Sequence, residues 1–179
     1  MSFNWAMLTP AGDAPLPLPN EKFLLSQHGV HAKLDCSVSD GRMARDEYNS
    51  MGTVYLSNQR IVFVAKDQHN SVMRSLSIPF SQYKNWRLEQ PWFTANYITA
   101  TVLPVPGGGM PKPGPLTLTF REGGAIDFAN TYRNLQERYG EYSGVPPHHE
   151  PLPAYQPPAD SNIASADSHN SSAGAPPPY

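Results

Sequence analysis

The stretch GTVYLSNQRIVFVA, residues 52–65, decides how this chain is read. Its flanks, GTVYL (52–56) and RIVFVA (60–65), are rich in β-branched and aromatic residues that suit a pleated, half-buried surface. Between them, SNQ is a short polar turn, so the stretch predicts a β-hairpin. Working outward, GVHAKL (29–34) alternates Val30, Ala32 and Leu34 with His31 and Lys33, and NYITATVL (96–103) and LTLTF (116–120) repeat that period of two. SVMRSLSI (71–78) alternates less cleanly, and REGG (121–124) supplies a glycine turn into a short strand at 125–128.

After that the period changes. Phe128, Tyr132, Leu135 and Tyr139 form one helical stripe, which Gly140 can close in the left-handed conformation. About seven antiparallel strands and one closing helix imply a mainly β (α+β) sandwich or barrel covered by the helix. The loop PVPGGGMPKPGP (104–115) has no period and lacks the lysine–serine or lysine–threonine ending of a phosphate-binding loop. Trp86, Trp92 and Phe93 are read as core aromatics, with an exposed apolar patch as the alternative.

Composition sets the limits of the domain. From 143 to 179 the chain has no Lys or Arg and nine prolines, so it cannot bury enough apolar surface to offset chain entropy and is expected to be disordered. Residues 1–20, with PLPLP at 15–19, are expected to form a second disordered arm, which leaves residues 20–142 as the domain. In 179 residues the formal net charge is -2, which disfavours direct sequence-specific nucleic-acid binding. The single cysteine, Cys36, permits no internal disulfide, and the sequence carries neither a secretory leader nor an apolar run of membrane length. An intracellular protein is the expectation. His28, His31, His148 and His149 have no partners at ligand spacing, and no nucleophile–base grouping is visible, so neither metal, cofactor nor catalytic residue is expected.

The segments GTVYLSNQRIVFVAK (52–66), IPFSQYKNWRLEQPWFTANYITATV (78–102) and GGAIDF (123–128) resemble the GRAM-domain core of the WW-domain-binding protein 2 family over about residues 20–140. The tail, with its proline–tyrosine motifs, matches that family's layout but is far shorter than in animal members. The resemblance implies a pleckstrin-homology-like GRAM domain and an adaptor whose proline–tyrosine motifs bind WW domains of transcription coactivators or HECT-type ubiquitin ligases. It also implies a monomer resident in nucleus and cytoplasm, with a chromatin-associated coactivator role.

Two motifs carry that reading: Pro176, Pro177, Pro178 and Tyr179 make a full PPxY, and Leu152, Pro153, Ala154 and Tyr155 make the LPxY variant. Consecutive prolines are already near polyproline II, so docking in an aromatic WW groove loses little further entropy while the tyrosine fills the adjacent pocket. Tyr155 and Tyr179 lie 24 residues apart. A flexible linker of that length spans roughly 25–30 Å, enough to reach two WW domains on one partner. The alternative ligand is a membrane phosphoinositide, for which Arg42, Arg45 and Lys66 are the candidate contacts, although Lys33, Arg60 and Arg74 are scattered with them rather than clustered.

Overall fold

The computed structural model describes residues 1–36, 47–110 and 112–143, with side chains as far as residue 138. The strands are β1 (Ser2–Phe3), β2 (Phe23–Asp35), β3 (Glu47–Ser57), β4 (Arg60–Ala65), β5 (Ser75–Pro79), β6 (Tyr83–Glu89), β7 (Tyr97–Val102) and β8 (Gly114–Phe120), and helix α1 (Ala125–Ser143) follows them. All eight strands form one antiparallel, curled sheet in the order β1-β5-β4-β3-β2-β8-β7-β6.

The predicted hairpin is the middle of this sheet: Tyr55 pairs with Val62 and Val54 with Phe63 across a turn at Asn58 and Gln59. Gly52 is required there, because a Cβ would sit 2.0 Å from the Val64 carbonyl oxygen. Strand β2 joins the two halves. It pairs with β3 along its length and with β8 only from Val30 to Leu34, bending at an irregularity beside Gly29, whose φ is 65°.

Four expectations are corrected. Residues 1–20 do not form a loose arm: Met1 is fully buried, β1 pairs with β5, and the Asn4 side chain bonds the backbone of Val72, Arg74 and Ser75. The reason lies in β4, whose six residues are all buried. Ile61, Phe63 and Ala65 enter the core, so Arg60, Val62 and Val64 on the other face need a cover, and the N-terminal residues supply it. A continuous apolar run is the signature of a strand covered on both faces.

Residues 125–128 are the first turn of α1 rather than a strand. Gly123 and Gly124 take φ of 86° and 87°, the chain turns out of the sheet, and the Phe128 N–H donates to the Gly124 carbonyl. Ala125, Phe128, Ala129, Tyr132 and Leu135 then bury one helical face, and the helix runs through Gly140 to Ser143.

Strand β6 was hidden by its own geometry. It is an edge strand whose pairing shifts between Lys84 and Arg87 around Asn85 at φ 52°, which breaks the period of two. Finally, Trp92 and Phe93 are not core: they are 96% and 99% exposed in the β6–β7 connection, whereas Trp86 packs against the core.

The helix lies against β2, β6 and β7. Tyr132 is the centre of its contact, edge-on to Phe80, Tyr83 and Trp86 at ring separations of 5.2, 5.2 and 5.4 Å. Trp86 donates its indole N–H to Gln136 Oε1 at 2.7 Å and carries the Arg133 guanidinium over its ring at 5.7 Å. Such edge-to-face clusters bury large areas and add geometric preference to the packing.

Candidate functional site

The PPxY residues Pro176, Pro177, Pro178 and Tyr179, and the second motif at Leu152, Pro153 and Tyr155, lie outside the described residues. So do Arg42 and Arg45. What the domain contributes is a set of surfaces.

Lys66, the remaining lipid candidate, borders a cleft of about 920 Å³ between β3, the β4–β5 connection and residues 11–13. Asp13, Glu47 and Asp67 line the same cleft. Hydrogen bonds from Thr9 to Asp13, and from Asn70 to Asp67, hold both carboxyls below the usual range, so both are ionised at neutral pH. Of the other basic candidates, Lys33 pairs with Glu47 at 3.1 Å and Arg60 is buried.

Arg60 is the hub of the N-terminal cover. Its Nε donates to Glu21 Oε1 at 2.8 Å, its Nη2 to Glu21 Oε2 and to the Leu16 carbonyl at 3.0 Å each, and its Nη1 to Ser77 Oγ at 3.0 Å. Burial alone would raise the Glu21 carboxyl. The bonds from Arg60, Ser57 and the Leu18 N–H outweigh it and hold the group below the usual carboxylate range. Around this pair Tyr55 Oη donates to the Asp13 carbonyl at 2.8 Å, Gln59 Nε2 to the Pro19 carbonyl at 3.0 Å and Asn58 Nδ2 to the Asn20 carbonyl at 3.1 Å. The turn SNQ and the head of β4 thus read out the backbone of PLPLP. Sequence reasoning placed Arg60 only among the scattered basic residues; the one available signal was an arginine opening a strand otherwise wholly apolar.

His28 bonds Thr53 Oγ1 through Nδ1 at 2.9 Å. His31 is held below its ordinary range by burial and by the nearby charges of Arg121 and Lys33. Cys36 is buried. Among the described residues no group of three or more His, Cys, Asp or Glu is placed to hold a metal ion, and no described helix is long and apolar enough to cross a membrane.

The order of strands and the closing helix define a class. The Vps36 N-terminal PH domain superposes on 77% of this chain and 95% of its own at a TM-score of 0.55 with 15% sequence identity, so the fold is of pleckstrin-homology type. No family model matches the sequence. Curated relatives do: a UPF0664 stress-induced protein of Schizosaccharomyces pombe is 33% identical over 164 residues, covering 90% of this chain and 92% of the relative. Human WW domain-binding protein 2 is 43% identical over 77 residues, and a bovine postacrosomal sheath WW domain-binding protein 42% over 78. These matches cover 43% and 44% of this chain but only 29% and 25% of the two mammalian relatives. The chain belongs to the WW domain-binding protein 2 family, and shares nearly full length with the fission yeast protein.

Proposed function

We propose that the chain is a non-enzymatic adaptor that binds WW-domain proteins through Pro176, Pro177, Pro178 and Tyr179, with Leu152, Pro153 and Tyr155 as a second, weaker contact. One observation carries this: relatives that share the domain are named for WW-domain binding, and this chain places two proline–tyrosine motifs after it. Proline pre-orders the ligand, the tyrosine selects the pocket, and the tether raises the local concentration of the second motif to the order of millimolar once the first has docked. Tandem-WW partners are therefore favoured. The output is transcription coactivation or recruitment of a HECT-type ubiquitin ligase, with residence in nucleus and cytoplasm and the GRAM domain acting as a monomeric anchor.

Phosphoinositide binding through Arg42, Arg45 and Lys66 is the weaker reading. The three carboxylates that share the Lys66 cleft repel a phosphorylated headgroup, and only liposome pelleting that depends on Lys66 would favour it. The adaptor reading is tested by affinity capture with the intact chain beside a Tyr155→Ala, Tyr179→Ala double variant. WW-domain proteins should be lost from the variant; an unchanged set of captured proteins would refute the adaptor role.

A further inference from the structure

Strand β2 carries two residues, His28 and Gly29, where β3 offers only Thr53: pairing stops at Gln27 with Val54 and resumes at Val30 with Gly52. Such a bulge re-aims the side chains it carries. Gly29 absorbs the turn at φ 65°, and the His28 ring bonds Thr53 Oγ1 through Nδ1 at 2.9 Å, which leaves Nε2 to face a ligand. Two neighbouring strand ends converge here. The Arg121 N–H donates to the Gly29 carbonyl at 3.0 Å, which sets Glu122 beside the bulge, and the Lys66 N–H donates to the Met51 carbonyl at 2.8 Å. A Cβ on Gly29 would stand 2.4 Å from the Glu122 carboxyl carbon, so that carboxylate lies directly over bare backbone.

His28, Gly29, Gly52, Thr53, Lys66 and Glu122, among others, line a pocket of about 250 Å³. The Lys66 ammonium and the Glu122 carboxylate border this one cavity, yet neither side chain makes a hydrogen bond or an ion pair among the described residues, with the other or with a neighbour. Exposed charges do pair on this sheet where they can reach, as Lys33 and Glu47 show at 3.1 Å. Opposite charges that share a pocket without closing on each other leave room for a ligand that carries both. The volume falls below the roughly 300–1,000 Å³ of drug-sized sites, so that ligand is small.

We propose that this pocket binds a compact zwitterion of the free amino acid class. The ligand carboxylate takes the Lys66 ammonium and the N–H at His28 Nε2, the tautomer present when the Thr53 hydroxyl donates to Nδ1, and the ligand ammonium takes Glu122. A peptide terminus carries only one of the two charges, and a phosphorylated headgroup meets the Glu122 carboxylate, so both are selected against. The site belongs to the folded domain and is independent of the WW reading, which concerns the proline–tyrosine motifs.

The test is an NMR titration of the intact chain with unbranched amino acids from glycine through β-alanine to γ-aminobutyrate, which hold the two charges at increasing separation. At least one of them should move the amide signals of His28, Gly29, Thr53, Lys66 and Glu122 saturably, with Kd below about 10 mM. The carboxylate and the amine of matching length, each with a single charge, should bind at least about tenfold more weakly. Lys66→Gln and Glu122→Gln should each weaken the best ligand at least about tenfold, and both side chains are exposed, so the fold should survive the change. No saturable shift with any of the amino acids, single-charge analogues that bind as tightly, or binding indifferent to either variant overturns the proposal. Should a variant unfold, the comparison with single-charge analogues on the unaltered chain decides alone.

Discussion

Arg60 and Glu21, 39 residues apart in sequence, meet through two parallel hydrogen bonds with side-chain exposures of 8% and 0%. A buried pair of this kind is costly to break from one side, because the surviving charge stays desolvated. Glu21→Ala should therefore cost about 3–5 kcal/mol of unfolding free energy, while Glu47→Ala, whose pairing with Lys33 is solvent-exposed, should cost under about 1 kcal/mol. Urea titration of the two variants separates them. Equal losses would mean that Arg60 finds water once Glu21 is gone.

Acid should destabilise the domain in two steps. His31 has its folded pKa below the ordinary 6.5, so the unfolded chain binds the proton more readily and stability falls as pH drops from about 6.5 through the folded value. Glu21 has its folded pKa below the ordinary 4.5, so its contribution is complete above that pH and is lost as pH falls through the folded value. Thermal melts between pH 7.5 and about 3 should show both declines. His31→Gln should flatten the first, and Glu21→Gln should reduce the second, to which the depressed carboxyls of Asp13 and Asp67 also contribute; a first decline that survives His31→Gln would assign it elsewhere.

The aromatic layer beneath α1 contains a hydroxyl that gains nothing from its position. Tyr83 is 2% exposed, its oxygen has no hydrogen-bond partner among the described residues, and burial pushes its pKa far up. Removing an unsatisfied buried donor relieves a desolvation cost, so Tyr83→Phe should raise stability by up to about 1–2 kcal/mol. Tyr132→Ala, which empties the centre of the cluster, should cost about 3–5 kcal/mol. Calorimetric melts giving Tyr83→Phe a clear loss would show that its hydroxyl is bonded in solution.

Trp92 and Phe93 provide the converse check. Both stand almost wholly in solvent, so replacing them by serine should leave the melting temperature within about 2 °C, whereas Trp86→Ala should lower it measurably. A large loss in the first variant would place the pair against the domain.

Much of the scaffold was legible because its strands obey simple periods. Val54, Leu56, Ile98, Ala100, Leu116 and Leu118 alternate inward, and the stripe from Phe128 to Leu135 marks the helix. What stayed hidden depends on contacts distant in sequence. The prolines of PLPLP at 15–19 made residues 1–20 look disordered, yet the outer face of β4 supplies the partner that offsets their entropy. Asn85 and its irregular register concealed β6, and adjacency to strands made Trp92 look internal. The proline–tyrosine motifs at 152–155 and 176–179 lie outside the described residues, and their proposed recognition rests on the stiffness of the prolines together with an anchoring tyrosine.

That stiffness is the central claim, and a calorimetric titration of the intact chain with a purified tandem-WW fragment of a HECT-type ligase tests it most directly. The account predicts saturable binding that weakens at least about tenfold in Tyr155→Ala and is abolished in Tyr155→Ala, Tyr179→Ala. Binding of undiminished strength in the double variant would contradict it.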